Sequence, residues 1–169
     1  MEIAVDKQST KEIVIEVIKK SKKNEAKFFK SLCQIDRDAF GKSEDSGMIM
    51  KTFWKSDVNK MIMAKKKDTQ AIVGYAAFLV QDPPKKEMQR QIQEQRRAGV
   101  KKPKTTQGCY LMRIGVKALC QGQGIGRKLM EYLFVNYPAH LSLDVSTDNT
   151  KAVGFYKRVG LEIDNIYIT

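Results

Sequence analysis

The chain has 169 residues, 42% of them hydrophobic, and a formal net charge of +12. Those values predict one domain over residues 1–169 with a single sizeable core, drawn to polyanions such as a phosphorylated ligand, nucleic acid or an acidic protein surface. Cys33, Cys109 and Cys120 are odd in number and form no Cys-x-x-Cys pair, and the longest apolar run, residues 71–80, is far short of a bilayer; disulfide framework, metal site, signal peptide and membrane span are therefore not expected, and a cytoplasmic or nuclear setting is.

In chain order, residues 12–18 alternate with β-branched side chains and predict a first strand, ended by the polar break 19–24. Phe28, Leu32, Ile35 and Phe40 recur at roughly helical spacing from about Glu25, with Gly41 as the stop. A shorter helix uses Met48, Met50, Phe53 and Trp54. Residues 61–64 and 71–80 read as two strands around the polar turn 65–70, a hairpin.

The segment from Lys85 to Lys104, within an insertion over residues 83–107, holds eight basic residues against Glu87 and Glu94. It is too polar for the core. It reads either as a solvated helix or disordered insertion, ended by Gly99 and Pro103, or as a docking arm for RNA, DNA or an acidic partner. No aromatic residue interleaves with its cations, so binding there would be electrostatic and salt-sensitive.

Further strands are predicted at 110–116 and 141–145, with a last one in 161–168, which makes a mixed α/β sheet with helices on both faces. Between the first two of these lies Gln121-Gly122-Gln123-Gly124-Ile125-Gly126, directly before an amphipathic helix over 127–135. The glycines let backbone approach a ligand, and a new helix presents unpaired N–H groups and the positive end of its dipole, which favours a diphosphate. The spacing fits neither the dinucleotide fingerprint nor a P-loop.

The motif Gln-x-x-Gly-x-Gly resembles the acetyl-coenzyme A loop of the GNAT superfamily of N-acetyltransferases. The resemblance continues without a gap from Tyr110 to Ile163 through Leu141-Ser142-Leu143-Asp144-Val145, Asn149, Ala152, Phe155-Tyr156 and Gly160, about a third of the chain. It implies the GNAT fold: a central mixed, mostly antiparallel sheet with a V-shaped splay between the fourth strand, 110–116, and the fifth, 141–145. Acetyl-CoA would enter that wedge, with main-chain groups of Ile114, Gly115 and Val116 pairing with its pantetheine amides by strand addition. Gln121, Gly122, Gln123, Gly124, Ile125, Gly126 and Arg127 would hold its pyrophosphate, and Asn149 and Tyr156 would complete the cofactor site. A backbone N–H on the splayed strand would stabilise the oxyanion, and Tyr156 would protonate the departing thiolate.

Many relatives carry a glutamate base on the splayed strand, yet residues 109–116 hold no carboxylate. Instead Tyr110-Leu111-Met112-Arg113-Ile114-Gly115 is similar to the protein N-terminal acetyltransferases that act on methionine starts, which pair a tyrosine here with a histidine on the next strand. The histidine's position is Asp144 in this chain. Asp144 and Tyr110 are expected to hold a water that relays the amine's proton; a strand-end carboxylate bonded to backbone or lysine is the equal alternative for Asp144. His140 precedes the strand and is expected in a loop. The resemblance makes Phe40, Tyr110 and Met112 the acceptor contacts. Of the family's Phe-Pro-Val-x-Tyr loop, Phe40-Gly41-Lys42-Ser43-Glu44 keeps only the phenylalanine, and Tyr167 stands where a closing hairpin would lie.

Only a neutral amine attacks. An α-amine has a pKa of about 7.7–8.0 against about 10.4 for lysine, a gap of roughly 3.5 kcal/mol, so a site without a carboxylate base suits a protein or peptide N-terminus best. Three alternatives stay open: a lysine side chain, a small polyamine served by the cluster Glu44, Asp45 and Asp57, and a nucleic-acid or ribosome-binding module with a regulatory coenzyme pocket.

Overall fold

A computed structural model describes residues 12–41, 45–164 and 166. Five strands, β1 (Ile13–Val17), β2 (Asn59–Lys66), β3 (Ile72–Gln81), β4 (Gly108–Val116) and β5 (Leu141–Leu143), form one sheet in that order. The first four pair antiparallel, and β5 runs parallel to β4. Among the described residues five α-helices accompany them, α1 (Lys22–Phe40), α2 (Asp45–Lys55), α3 (Lys85–Arg97), α4 (Ile125–Asn136) and α5 (Thr150–Arg158), with a short 3-10 helix at Ala118–Cys120. Among the described residues, no helix is long and apolar enough to cross a membrane.

The helices cover both faces of the sheet because its strands are apolar on both. On one face Phe28, Leu32 and Ile35 of α1 and Met50 and Phe53 of α2 pack on Met61, Met63, Tyr75 and Ala77. On the other, Ile125, Leu129, Met130 and Leu133 of α4 pack on Ile62, Ala76, Phe78, Cys109 and Leu111, with Phe155 and Tyr156 of α5 at the margin. The ends of α1 follow from its sequence. Ser21 Oγ accepts the Asn24 N–H at 3.1 Å, and Gly41, at φ 83°, supplies the left-handed stop and donates its N–H to the Arg37 carbonyl at 2.8 Å.

One irregularity in β4 positions the site. Ala77 of β3 faces Arg113 and Phe78 faces Leu111, so Met112 is an extra residue, a β-bulge. The bulge resets the alternation of side chains. Cys109 and Leu111 before it, and Ile114 and Val116 after it, all face α4. Arg113 and Gly115 therefore face α1, where a Cβ on Gly115 would stand 2.9 Å from the Tyr75 ring.

Beneath α1 this places a buried polar cluster. Asp36 is fully buried and takes a two-pronged contact from Arg113, Nε to Oδ1 at 2.5 Å and an Nη to Oδ2 at 3.1 Å, while the Tyr75 hydroxyl also donates to Oδ1. Such a pairing is the arrangement under which a carboxylate can lose its water. The Arg113 guanidinium also lies 3.8 Å from the centre of the Phe40 ring.

Several boundaries differ from expectation. The helix predicted at 127–135 starts two residues earlier, at Ile125. The strand predicted at 141–145 ends at Leu143, so Asp144 lies just past it. The strand predicted in 161–168 is not formed over 161–164; residues 165 and 167–169, Tyr167 among them, lie outside the described residues. Within the basic insertion, residues 85–97 form a regular helix.

Replacing Asp36 with alanine strands the half-buried Arg113 charge and the Tyr75 hydroxyl, so unfolding in urea is expected to become easier by about 3 kcal/mol. The exposed partner of Lys65, Glu16, at 2.7 Å, serves as the control: Glu16→Ala is expected to cost less than about 1 kcal/mol. Equal losses for the two would contradict the role given to the buried cluster.

Candidate active site

Strand β5 pairs with β4 at only three positions, Cys109 with Leu141, Tyr110 with Ser142 and Leu111 with Leu143. Beyond Leu111, β4 continues to Val116 against β3 alone. Its main-chain groups on the β5 side, over residues 112–116, are thus left without a strand partner and line an open wedge. Ile114, Gly115 and Val116 lie along that edge, and Met112, the bulged residue, stands half-exposed at its apex.

The Gly-rich bend begins where β4 ends. Gln121 ties it down, its side-chain amide donating to the Val116 carbonyl at 3.1 Å. Gly122 and Gly124 adopt left-handed conformations, φ 77° and 79°, which glycine takes without strain. Gly124 is the N-cap of α4 and no side chain caps that end. The first bond of the helix runs from the Lys128 N–H to the Gly124 carbonyl at 3.1 Å, so the N–H groups of Ile125, Gly126 and Arg127 precede the intrahelical ladder. A Cβ on Gly122 would meet nothing within 4 Å, which means open space lies against the bend. Gly126 has a different purpose: a Cβ there would meet the Phe155 ring at 3.1 Å, so its absence lets α5 close on the start of α4. The bend suits a diphosphate: N–H donors at a helix start, clearance for phosphate oxygens, and no carboxylate among residues 117–130.

Two predicted cofactor residues are engaged within the protein. An Nη of Arg127 donates to the Arg158 carbonyl at the end of α5, 3.2 Å away. Asn149 is the N-cap of α5, its Oδ1 accepting the Ala152 N–H at 3.2 Å. Tyr156, on α5, packs on the α4-side core that also includes Ile114 and Val116. Its ring meets Phe155 edge-on, centroids 5.3 Å apart, and burial raises its hydroxyl pKa above the ordinary value. Among the described residues no protein group hydrogen-bonds that hydroxyl.

Tyr110 and Asp144 come together where β4 and β5 part. The Tyr110 hydroxyl donates directly to Asp144 Oδ2 at 2.8 Å. That bond, more than the modest burial, raises the tyrosine's pKa, so Tyr110 keeps its proton and acts as a donor near neutrality. His140 stays out of the wedge. Its Nε2 meets Gln81 Oε1 at 3.0 Å, and its ring fills the space left by the missing side chain of Gly108. Phe40 lies at the end of α1, exposed and stacked on Arg113; residues 42–44 and the side chain of Asp45 lie outside the described residues, so the acceptor loop and most of the acidic cluster named above do as well.

Sequence reasoning missed Arg113 and Asp36. The available signal was a carboxylate on the apolar face of α1, between Leu32 and Phe40, which requires a buried cationic or hydroxyl partner.

Comparison with known proteins agrees with this geometry. Residues 29–161 match the model of the Acetyltransferase (GNAT) family. Over 43 residues, 25% of this chain, the sequence is 44% identical to the peptidyl-lysine N-acetyltransferase YjaB of Salmonella typhimurium; the chain spans only 29% of that protein's length. Among solved structures, aminoglycoside N-acetyltransferase AAC(6')-Iy, in complex with CoA, superposes with a TM-score of 0.63 at 12% identity, covering 93% of this chain and 92% of that one. A ribosomal-protein-alanine N-acetyltransferase from Brucella melitensis biovar Abortus 2308 gives 0.60 at 13% identity, covering 93% and 98%. At such identities the two structures speak for the fold alone. With the family match running from α1 to the end of α5, this chain belongs to the GNAT acetyltransferase family.

Proposed function

We propose that this protein transfers the acetyl group of acetyl-CoA to the N-terminal α-amine of a protein or peptide. The observation that carries the reading is the parting of β4 from β5 after Leu111, beside a helix start that no side chain caps. Acetyl-CoA would supply an activated thioester. The free main-chain edge of 112–116 fits its amide-bearing arm by strand addition, and the bend at 122–127 fits its diphosphate.

The amine nitrogen forms the new bond to the acyl carbon as the carbon–sulfur bond breaks. Tyr156 gives its hydroxyl proton to the departing sulfur; a raised pKa keeps that proton in place through the neutral range. The amine's proton leaves through water held at the Tyr110–Asp144 pair. That pair is a weak base. An α-amine, partly neutral already near pH 7.5, asks less of it than a lysine does, by roughly 3.5 kcal/mol. Phe40 and Met112 border the acceptor side. Three buried cysteines that form no disulfide among the described residues fit a reducing interior such as the cytoplasm.

A lysine acceptor is the second reading, favoured by the local identity with a peptidyl-lysine acetyltransferase. Coenzyme A release from two peptides separates them: one with a free N-terminus and no lysine, one N-blocked with an internal lysine. The first is expected to react at least about tenfold faster at pH 7.5, a fraction of the ionisation difference. The opposite order transfers the assignment to lysine, and no release with any amine contradicts acetyl transfer itself.

Two substitutions test the parts. Asparagine tolerates a left-handed backbone, so Gly122→Asn is expected to keep the melting temperature within about 3 °C while weakening coenzyme A binding at least about tenfold by calorimetry. Unchanged affinity would remove the bend from the site. Tyr156→Phe is expected to lower kcat by about 100-fold with little change in coenzyme affinity. A kcat within about twofold of the parent would place thiolate protonation elsewhere.

A further inference from the structure

Helix α3 is built with two unlike sides. Met88, Gln91, Ile92 and Gln95 are half-buried and turn inward, whereas Lys86, Arg90, Gln93 and Arg97, at spacings of four, three and four, make one exposed stripe. Glutamine side chains hold the helix against its return segment. The Gln95 amide donates to the Lys104 carbonyl at 2.6 Å and accepts the Lys104 N–H at 2.9 Å, and Gln91 Oε1 accepts the Thr106 N–H at 2.9 Å. That clamp brings exposed Lys101, Lys102 and Lys104 alongside α3. Half of the chain's net charge of +12 is thus fixed on one ordered arm. Glu87 and Glu94 offset only Arg90, at 2.7 and 3.6 Å.

We infer that α3 and its return segment are a docking surface for the phosphate backbone of a nucleic-acid duplex. The exposed side of α3 presents cations and carboxamides with one carboxylate, Glu94, and the large apolar exposure of the arm is confined to Val100 in the turn after the helix. A protein partner would find no buried anchor there, and a membrane no face to bury. The absence of aromatic residues from 85–104 removes base stacking and with it a single-strand site. What remains is a cationic edge about 20 Å long, over which a duplex presents about a dozen charges. The arm joins β3 to the start of β4, the end of the sheet where Tyr110 and Asp144 meet, and so lies away from the Gly-rich bend. This binding does not depend on acetyl transfer.

The test measures anisotropy of a labelled RNA duplex of about 20 base pairs titrated with the full chain, from about 50 to about 200 mM salt. Four to five phosphate contacts predict a log–log slope near −4, hence an affinity about 250-fold weaker at the higher salt. The variant Lys86→Gln/Arg97→Gln/Lys101→Gln, whose two changes within α3 preserve helix propensity, is expected to bind at least about tenfold more weakly and to lower the slope by about three. Its circular dichroism and its turnover of a short peptide should match the parent. No binding at the lower salt, parental affinity in the variant, equal affinity for a single strand, or equal displacement by polyglutamate at matched charge would each overturn the assignment.

Discussion

The wedge exists because β5 stops pairing with β4 after Leu111. The chain's own chemistry explains why. After Leu143 the sequence turns to Asp144-Val145-Ser146-Thr147-Asp148-Asn149, whose short polar side chains compete for backbone groups. Ser146 accepts the Asn149 N–H at 3.0 Å through its carbonyl, Asn149 then caps α5, and the chain leaves the sheet. Strand β4 has no such exit. Its partner β3 holds it through Val116, so one edge of a well-supported strand is left exposed beside the Gly-rich bend.

The opposite face supplies rigidity. Asp36, Tyr75 and Arg113 join α1, β3 and β4 just past the bulge, and Arg113 stacks under Phe40 at the end of α1. A bulge leaves a strand locally unpaired and prone to twist. The ion pair fixes the residue directly after it, and Asp38 adds a second tie from α1 by accepting the Ala118 N–H at 3.1 Å, the bond chiefly responsible for its lowered pKa. The Phe40–Arg113 stack and the open edge of β4 are therefore braced by the same helix.

Most of the fold was legible because it rests on short-range patterns. The spacing of Phe28, Leu32 and Ile35 announces α1, and the β-branched run 13–17 announces β1. Glycines 122 and 124, set between a strand and the start of a helix, announce a bend whose backbone is open to a ligand. The resemblance expected Tyr110 and Asp144 to share a water; their side chains are bonded directly to each other. What escaped was long-range or subtle. Arg113 and Asp36 stand 77 residues apart, and no local pattern pairs them. The order of the basic insertion depends on Gln91 and Gln95 reaching residues 104–106, while composition alone reads it equally as solvated helix or disorder. Strand β5 was expected to run longer because Val145 looks strand-like, yet it lies exposed beyond the last pair.

In the function proposed above, one strand edge and one helix start together hold coenzyme A. Amide hydrogen exchange with and without coenzyme A tests it most directly, since both features are main-chain groups. New protection is expected at amides of residues 112–116 and 122–127, with the β1–β2 amides unchanged. Protection confined to other segments, or none at saturating coenzyme, would contradict it.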